Sequence, residues 1–292
     1  MQINLEPSDS PVRAAATVVM LRDGPAGLEV FLVKRHGLSD VLGGAYVFPG
    51  GKLDDEDGDA VLHTMLDRTP AQLQHALSEP GLPAPDAAAL FVAALRETFE
   101  ESGVLFAEGA DARVAGRAYE ALREGLSFAE VLHGAQLRLR ASELVPWSRW
   151  ITPAVGGVIR KRFDTRFFLA RVPAGQEPTH DQREATESLW LAPLAALQQY
   201  RDGAIQLAPP QIMSLAHLSR HAGTAQAFAD ATSRPPPLVH PEPFEQDGVR
   251  VICYPGDARH SIAARALPGP TRLHYVDGRF EPPGGFDALL RD

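Results

Sequence analysis

Residues 94–104, ALRETFEESGV, set Arg96, Glu97, Glu100 and Glu101 within six positions, just ahead of a Ser-Gly-Val stop. The spacing i, i+3, i+4 brings the three carboxylates to one face of a helix, a few ångströms apart. Such a cluster repels itself unless a cation neutralises it, and oxygen-only ligands suit Mg²⁺ or Mn²⁺. The plainer reading is a solvated acidic patch, so the surrounding sequence has to decide. The helix runs from about Ala87 to Ser102, with Pro85-Asp86 before it and Gly103 after it. At about 100° per residue, Ala88, Phe91, Val92, Leu95 and Phe99 share one side and the glutamates the other. This predicts an apolar stripe docked on a sheet, with the acids facing a cleft.

Upstream, residues 14–35 read as two β-rich runs joined by the turn signal Gly24-Pro25-Ala26-Gly27, a hairpin. A glycine-rich loop follows and ends on Pro49-Gly50-Gly51, where backbone can approach a ligand closely. Residues 59–82 read as short helices and 107–142 as amphipathic helix. Strands are expected at 162–172 and 185–193, then a helix over about 210–221. The proline cluster at 233–243 reads as a linker or extended arm. Two or three strands follow it, the last pair around Asp277-Gly278. The division expected is a main domain over 12–232 and a β-rich extension over 233–292.

The 292 residues suffice for a substantial core, with 45% apolar and 22% charged side chains. No apolar run approaches the ~20 residues that span a bilayer. The opening MQINLEPSDSP lacks a basic segment followed by an apolar one, so no membrane association is expected and the location expected is cytoplasmic. The single Cys253 suits a reducing compartment and a buried strand position. A net charge of −9 argues against a nucleic-acid partner, whose phosphates need clustered Lys and Arg. Neither a Walker A loop nor a G-x-S-x-G elbow is present. The run Asp54-Asp55-Glu56-Asp57 lacks the glycine and glutamate offsets of an EF-hand. His217 and His221 stand four apart but have no third metal ligand beside them in sequence.

The string Arg96-Glu97-x-x-Glu100-Glu101-x-Gly103-Val104 resembles the second half of the Nudix box, G-x5-E-x7-R-E-U-x-E-E-x-G-U, with Thr98 at a position usually aliphatic. FPGGKLDDEDGD, residues 48–59, resembles the first half, with Gly51 as the box glycine and Asp57, or Glu56 out of register, as the box acid. Gly51 and Arg96 are 45 positions apart instead of 14, so 31 extra residues interrupt the box. An interruption of this length is tolerable because loop-closure entropy grows only logarithmically. A box split by a helical insertion, here about 58–86, is similar to the CoA diphosphatase branch of the mammalian peroxisomal type. LVKRHGLSDVLGGAYVFPGG fits the pattern L-x-x-R-[SA]-x3-R-x3-G-x3-F-P-G-G of CoA-cleaving members at Arg35, Gly44 and Phe48 to Gly51, and departs from it at His36 and Asp40.

The resemblance implies an α/β Nudix fold, a mixed sheet between helices, with a second helical insertion at about 107–142 and a small β-rich C-terminal extension. It implies Mg²⁺ or Mn²⁺ held by Glu97, Glu100 and Glu101 with the main chain of Gly51, and hydrolysis of a diphosphate in CoA, acyl-CoA or, alternatively, ADP-ribose or NADH. Arg96 is then expected to hold a glutamate or a loop by a bidentate pair. Glu97 is one candidate general base, and Glu184 or Glu187, ahead of a later strand, are others. Gly50 and Gly51 are candidates for main-chain contact with metal or phosphate. Arg35, Arg160, Lys161 and Arg162 are candidates for a 3′-phosphate, against an ordinary strand end. Members of the family are often homodimers, though no exposed apolar stripe here points to one. Some members only bind a ligand, usually after losing box acids, and all three helical glutamates are kept.

Overall fold

Val18, Val19, Met20 and Leu21 form an apolar run without alternation, the pattern of a strand covered on both faces. The computed structural model, which describes residues 10–37, 42–154, 161–181 and 185–291, places this run at the centre of the molecule. Strand β1 (Val12–Gly24) turns through Pro25-Ala26 into antiparallel β2 (Gly27–Arg35). The short strands β3 (Tyr46–Val47) and β4 (Gly50–Lys52) follow, β3 on β2 and β4 on β1.

The first insertion carries α1 (Ala60–Thr64) and α2 (Pro70–Leu77), the latter opened by a Thr69/Gln72 capping box. Helix α3 (Ala84–Ser102) begins three residues earlier than the sequence predicts, with Pro85 in its first turn, and stops at Gly103 in the left-handed region, φ 71°. Next come α4 (Ala112–Arg123), α5 (Phe128–Gly134), β5 (Val145–Ile151), β6 (Arg162–Arg171) and β7 (Ala185–Leu191). The chain continues through α6 (Pro193–Arg201), α7 (Pro209–Leu218), α8 (Thr224–Thr232) and β8 (Leu238–Val239). It closes with β9 (Glu242–Gln246), β10 (Val249–Cys253), β11 (Arg272–Val276) and β12 (Arg279–Glu281).

Among the described residues eight strands form one mixed sheet, β3-β2-β1-β6-β5-β8, with β4 also on β1 and β7 on β2. The central pair, β1 and β6, is parallel and ten residues long. Ala16, Val18, Met20, Phe31 and Phe168 face α3, while Val19, Leu21, Val30, Leu32 and Phe167 face α6 and α7. Among the described residues no helix is long and apolar enough to cross a membrane.

Two expectations are corrected. Helix α3 is not two-faced: fourteen of its nineteen residues are buried, because the insertions cover the side away from the sheet with Leu62, Leu73, Leu77, Phe128 and Leu132. Beyond Asp86 in its first turn, its polar exposure is confined to the C-terminal turns. The proline cluster contributes β8, which joins the main sheet parallel to β5, Trp150 opposite Val239. After it, β12-β11-β10-β9 make a second sheet whose Ile252, Tyr254, Leu273 and Phe280 share a core with Trp147, Trp150 and Phe167. Tyr200 Oη donates to the Phe280 carbonyl at 3.1 Å and accepts from its N–H at 2.7 Å.

Glu79, just after α2, fixes the first insertion to the sheet. Arg166 grips it with two N–H groups at 3.0 and 2.6 Å, and Arg149 Nη1 stands 2.7 Å away. Asp164 completes a balanced quartet, 2.6 Å from Arg149 and 3.0 Å from Arg166. Removing one member of such a network strands the others. Glu79→Ala should therefore lower unfolding free energy by about 2–4 kcal/mol, Arg149 being partly exposed, and hasten proteolysis within 70–82. Urea unfolding and limited proteolysis measure both; a change near zero would show the insertion to be held by its apolar contacts alone.

Candidate active site

The two glycines of FPGG bring backbone against α3. Pairing with β1 sets Gly50 opposite Thr17 and Gly51 opposite Ala16. At Gly50, φ is 152° and a Cβ would lie 2.4 Å from the Ala16 carbonyl oxygen, so only glycine fits. A Cβ on Gly51 would lie 2.5 Å from the Glu97 carboxylate. The Gly50 N–H donates to Glu101 Oε2 at 3.0 Å, and Arg35 Nη1, from the end of β2, is 3.6 Å from Glu101 Oε1. Gly51→Ala is expected to push Glu97 aside and reduce turnover ~10²-fold with little change in Tm. Gly50→Ala, which meets backbone rather than a side chain, is expected to lower Tm as well. Rates and thermal melts of the two variants check this, and a fully active Gly51→Ala would remove Glu97 from the reaction.

Arg96 ties the two ends of the site together. It donates from Nε and Nη2 to the two oxygens of Asp57 at 2.8 and 2.9 Å, a bidentate pair in which Asp57 is fully buried. Its Nη1 donates to Glu97 Oε1 at 3.0 Å and Glu100 Oε2 at 3.1 Å, and its Nη2 to the Lys52 carbonyl at 3.3 Å. Asp57 sits in a 3-10 turn, Asp55–Gly58, and also accepts from the Asp54 N–H at 2.8 Å. Glu56, the alternative box acid, is exposed. Both insertions touch this frame: His63 Nε2 lies 3.1 Å from the Asp57 carbonyl, and Tyr119 Oη donates to the Glu100 carbonyl at 3.3 Å.

Burial disfavours the charge on Arg96, but Asp57, Glu97 and Glu100 more than offset that and hold it firmly protonated. Glu100 shows the reverse balance, its pKa raised by burial and only partly restored by Arg96. Five carboxylates, those of Asp54, Asp57, Glu97, Glu100 and Glu101, meet three cations, Arg35, Lys52 and Arg96. The site carries negative charge in excess and is built from oxygen donors, the setting for a hard divalent cation.

Residues 12–218 match the NUDT19 Nudix domain family. The chain belongs to the Nudix family. It is 28% identical over 230 residues to the acyl-coenzyme A diphosphatase NUDT19 of Xenopus laevis, an alignment covering 66% of this chain and 60% of that one. Against the Gallus gallus protein of the same name the identity is 31% over 248 residues, covering 67% and 62%. The chain thus spans about three fifths of the length of these relatives. Its fold is shared with the crystal structure of a NUDIX hydrolase from Alicyclobacillus acidocaldarius, at a TM-score of 0.61 and 28% identity, over 76% of this chain and 97% of that one.

In this Nudix chain the split box is closed in space by the Gly51–Glu97, Gly50–Glu101 and Asp57–Arg96 contacts. Thr98, at the aliphatic position, is buried and donates to the Ala94 carbonyl at 2.7 Å, which satisfies its hydroxyl within the helix. Among the described residues Arg35 is a candidate phosphate-binding side chain that lies beside the carboxylates, as do Gly50 and Gly51. Arg160 and Glu184, like Asp40, lie outside the described residues. Arg162 is not brought to the site: it starts β6 opposite Val12 and donates to the Thr152 carbonyl at 3.3 Å. Glu187 is set apart from α3 by strand alternation, within the regular part of the β2–β7 register that ends at Lys34. It falls opposite Lys34, 3.5 Å from its Nζ, on the face of Leu32 and Leu189 rather than that of Val33 and α3. There it hydrogen-bonds Tyr46, whose hydroxyl burial and Glu187 together hold protonated. His63 and Tyr119 escaped the sequence reading, since neither belongs to the box and only folding brings them to it.

Proposed function

We propose that this Nudix chain hydrolyses the diphosphate bond of a CoA-type substrate, releasing 3′,5′-ADP and 4′-phosphopantetheine or its acyl form. The closure of Gly51 on the Glu97 carboxylate is the observation that carries the reading, because it supports a functional box in spite of 31 inserted residues. The substrate class is supported by the name of the frog and chicken relatives and by the Arg35 to Gly51 match to the CoA pattern.

The donor set fits Mg²⁺ or Mn²⁺: carboxylates of Glu97, Glu100 and Glu101, with the main chain of Gly51 close to Glu97. When bound, such an ion supplies Lewis acidity toward the diphosphate and a water of lowered pKa. Arg96 positions Glu97 and Glu100 by hydrogen bonds from one nitrogen, and Gly50 with Arg35 orients Glu101. Arg35 is also the side chain we assign to substrate phosphate. The proton of the attacking water is assigned to Glu97 or to Glu184, and Glu184→Gln separates these two.

Phosphorus-31 NMR of CoA, an acyl-CoA, ADP-ribose and NADH, each incubated with the protein with and without Mg²⁺, tests the proposal. The expected result is metal-dependent loss of the CoA diphosphate signal. Cleavage of ADP-ribose or NADH alone would keep the box and overturn the substrate. Binding without cleavage of any of the four would make the chain a ligand-binding module.

A further inference from the structure

Across the sheet from α3, helices α7 and α8 bring together three side chains that the Nudix reaction does not use. His217 lies near the C-terminal end of α7, His221 one turn beyond it, and Asp230 on α8. His217 Nε2 is 3.0 Å from Asp230 Oδ2, and His221 Nε2 is 3.8 Å from the same oxygen. One ligand atom from each of the three lies within 4.8 Å of the others. Donors around a four-coordinate ion with bonds near 2.0–2.1 Å stand roughly 3.3 Å apart, so modest rotamer changes would seat one. The sequence shows the histidine pair; the fold supplies the third ligand.

The surroundings favour a ligand over a plain ion pair. Six buried side-chain polar atoms lack a hydrogen-bond partner among the described residues, and three of them cluster here: His217 Nδ1, His221 Nε2 and Trp147 Nε1. Trp147 stacks on His217 with ring centroids 5.2 Å apart, closing the site from the sheet side.

We propose that His217, His221 and Asp230 form a second metal site, for a borderline cation of the Zn²⁺ class, that clamps α7 to α8. Two imidazoles and one carboxylate suit Zn²⁺, Co²⁺ or Ni²⁺ rather than Mg²⁺, and the fourth position stays open to water. The site is separate from the oxygen-only box in position and in chemistry. His221 and Asp230 lie beyond residue 218, where the family match ends, and His217 just within it. The clamp would tie down the turn from α7 into α8, from which the chain runs on to β8. Arg234 Nη2, 3.5 Å from Asp230 Oδ2 and on a partly exposed side chain, competes for the carboxylate and must swing away on metal binding.

The test is Zn²⁺ binding to the full chain freed of any affinity tag, in excess Mg²⁺, by competition with a chromophoric chelator, with Co²⁺ absorption as the second readout. One tight equivalent is expected, with a tetrahedral-type Co²⁺ spectrum. His221→Ala and Asp230→Asn should each weaken it ~10²-fold, and Arg234→Gln should tighten it. Glu101→Gln should leave it unchanged. His221 is only partly buried and Asp230→Asn is isosteric, so circular dichroism is expected to find both folded. Unaltered binding in those two variants would place the metal elsewhere and overturn the proposal. Absence of Zn²⁺ binding by the folded parent would overturn it too.

Discussion

Glu101→Gln is expected to lower kcat at least ~10³-fold while leaving Tm nearly unchanged, a barrier increase of about 4 kcal/mol. The substitution keeps shape and volume and removes one negative charge. It leaves the amide oxygen able to accept from the Gly50 N–H, the contact measured at 3.0 Å, so the fold of FPGG survives. What it removes is a charged donor from a hard-cation site and the partner of Arg35, 3.6 Å away. With one negative charge beside Arg35 removed, the affinity for an anionic substrate should hold or rise, which puts the loss in kcat rather than KM. Initial rates over a substrate and Mg²⁺ series, with a thermal melt as control, measure this. A loss confined to KM would assign Glu101 to substrate binding instead, and a loss repaired by excess Mg²⁺ would make its part metal affinity alone.

The site was legible in sequence wherever the chemistry is written locally. Arg96 to Glu101 lie on consecutive turns of one helix, so helical spacing alone groups them. Gly51 and Asp57 stand in the right register to each other, and the register survives because the 31 added residues enter after Asp57 as α1 and α2 instead of within the turn. What could not be read is whatever depends on distant chain. The burial of α3 on nearly every side comes from Leu62, Leu73 and Phe128, which belong to the two insertions. Strand β5 was missed because Pro146 and a register shift between Pro146 and Ser148 break its alternation. Asp230 joins His217 and His221 only because α8, itself unforeseen, folds back on α7. In each case the deciding contact is non-local, and composition and periodicity carry no record of it.

Arg96→Met is expected to destabilise the fold by about 3–5 kcal/mol, lowering Tm by roughly 10 °C, and to abolish activity. The Arg96 side chain is almost enclosed and is the bidentate partner of a fully buried carboxylate. Without it Asp57 keeps, among the described residues, only the Asp54 N–H, and an unpaired charge in such a place must either protonate or draw in water. Glu97 and Glu100 lose the donor they share, and their mutual repulsion adds to the loss. Arg96→Lys should rescue little, since an ammonium cannot span both oxygens of Asp57 and reach two glutamates besides. The double variant Arg96→Met/Asp57→Leu separates the two roles of the pair. With no buried charge left over it should be more stable than Arg96→Met alone, while activity stays absent because nothing positions Glu97 and Glu100. Urea unfolding of the two single variants and the double one closes the cycle. Should the double variant be the least stable of the three, the pair would hold the fold through its hydrogen-bond geometry, and charge compensation would be the smaller part of what Arg96 does.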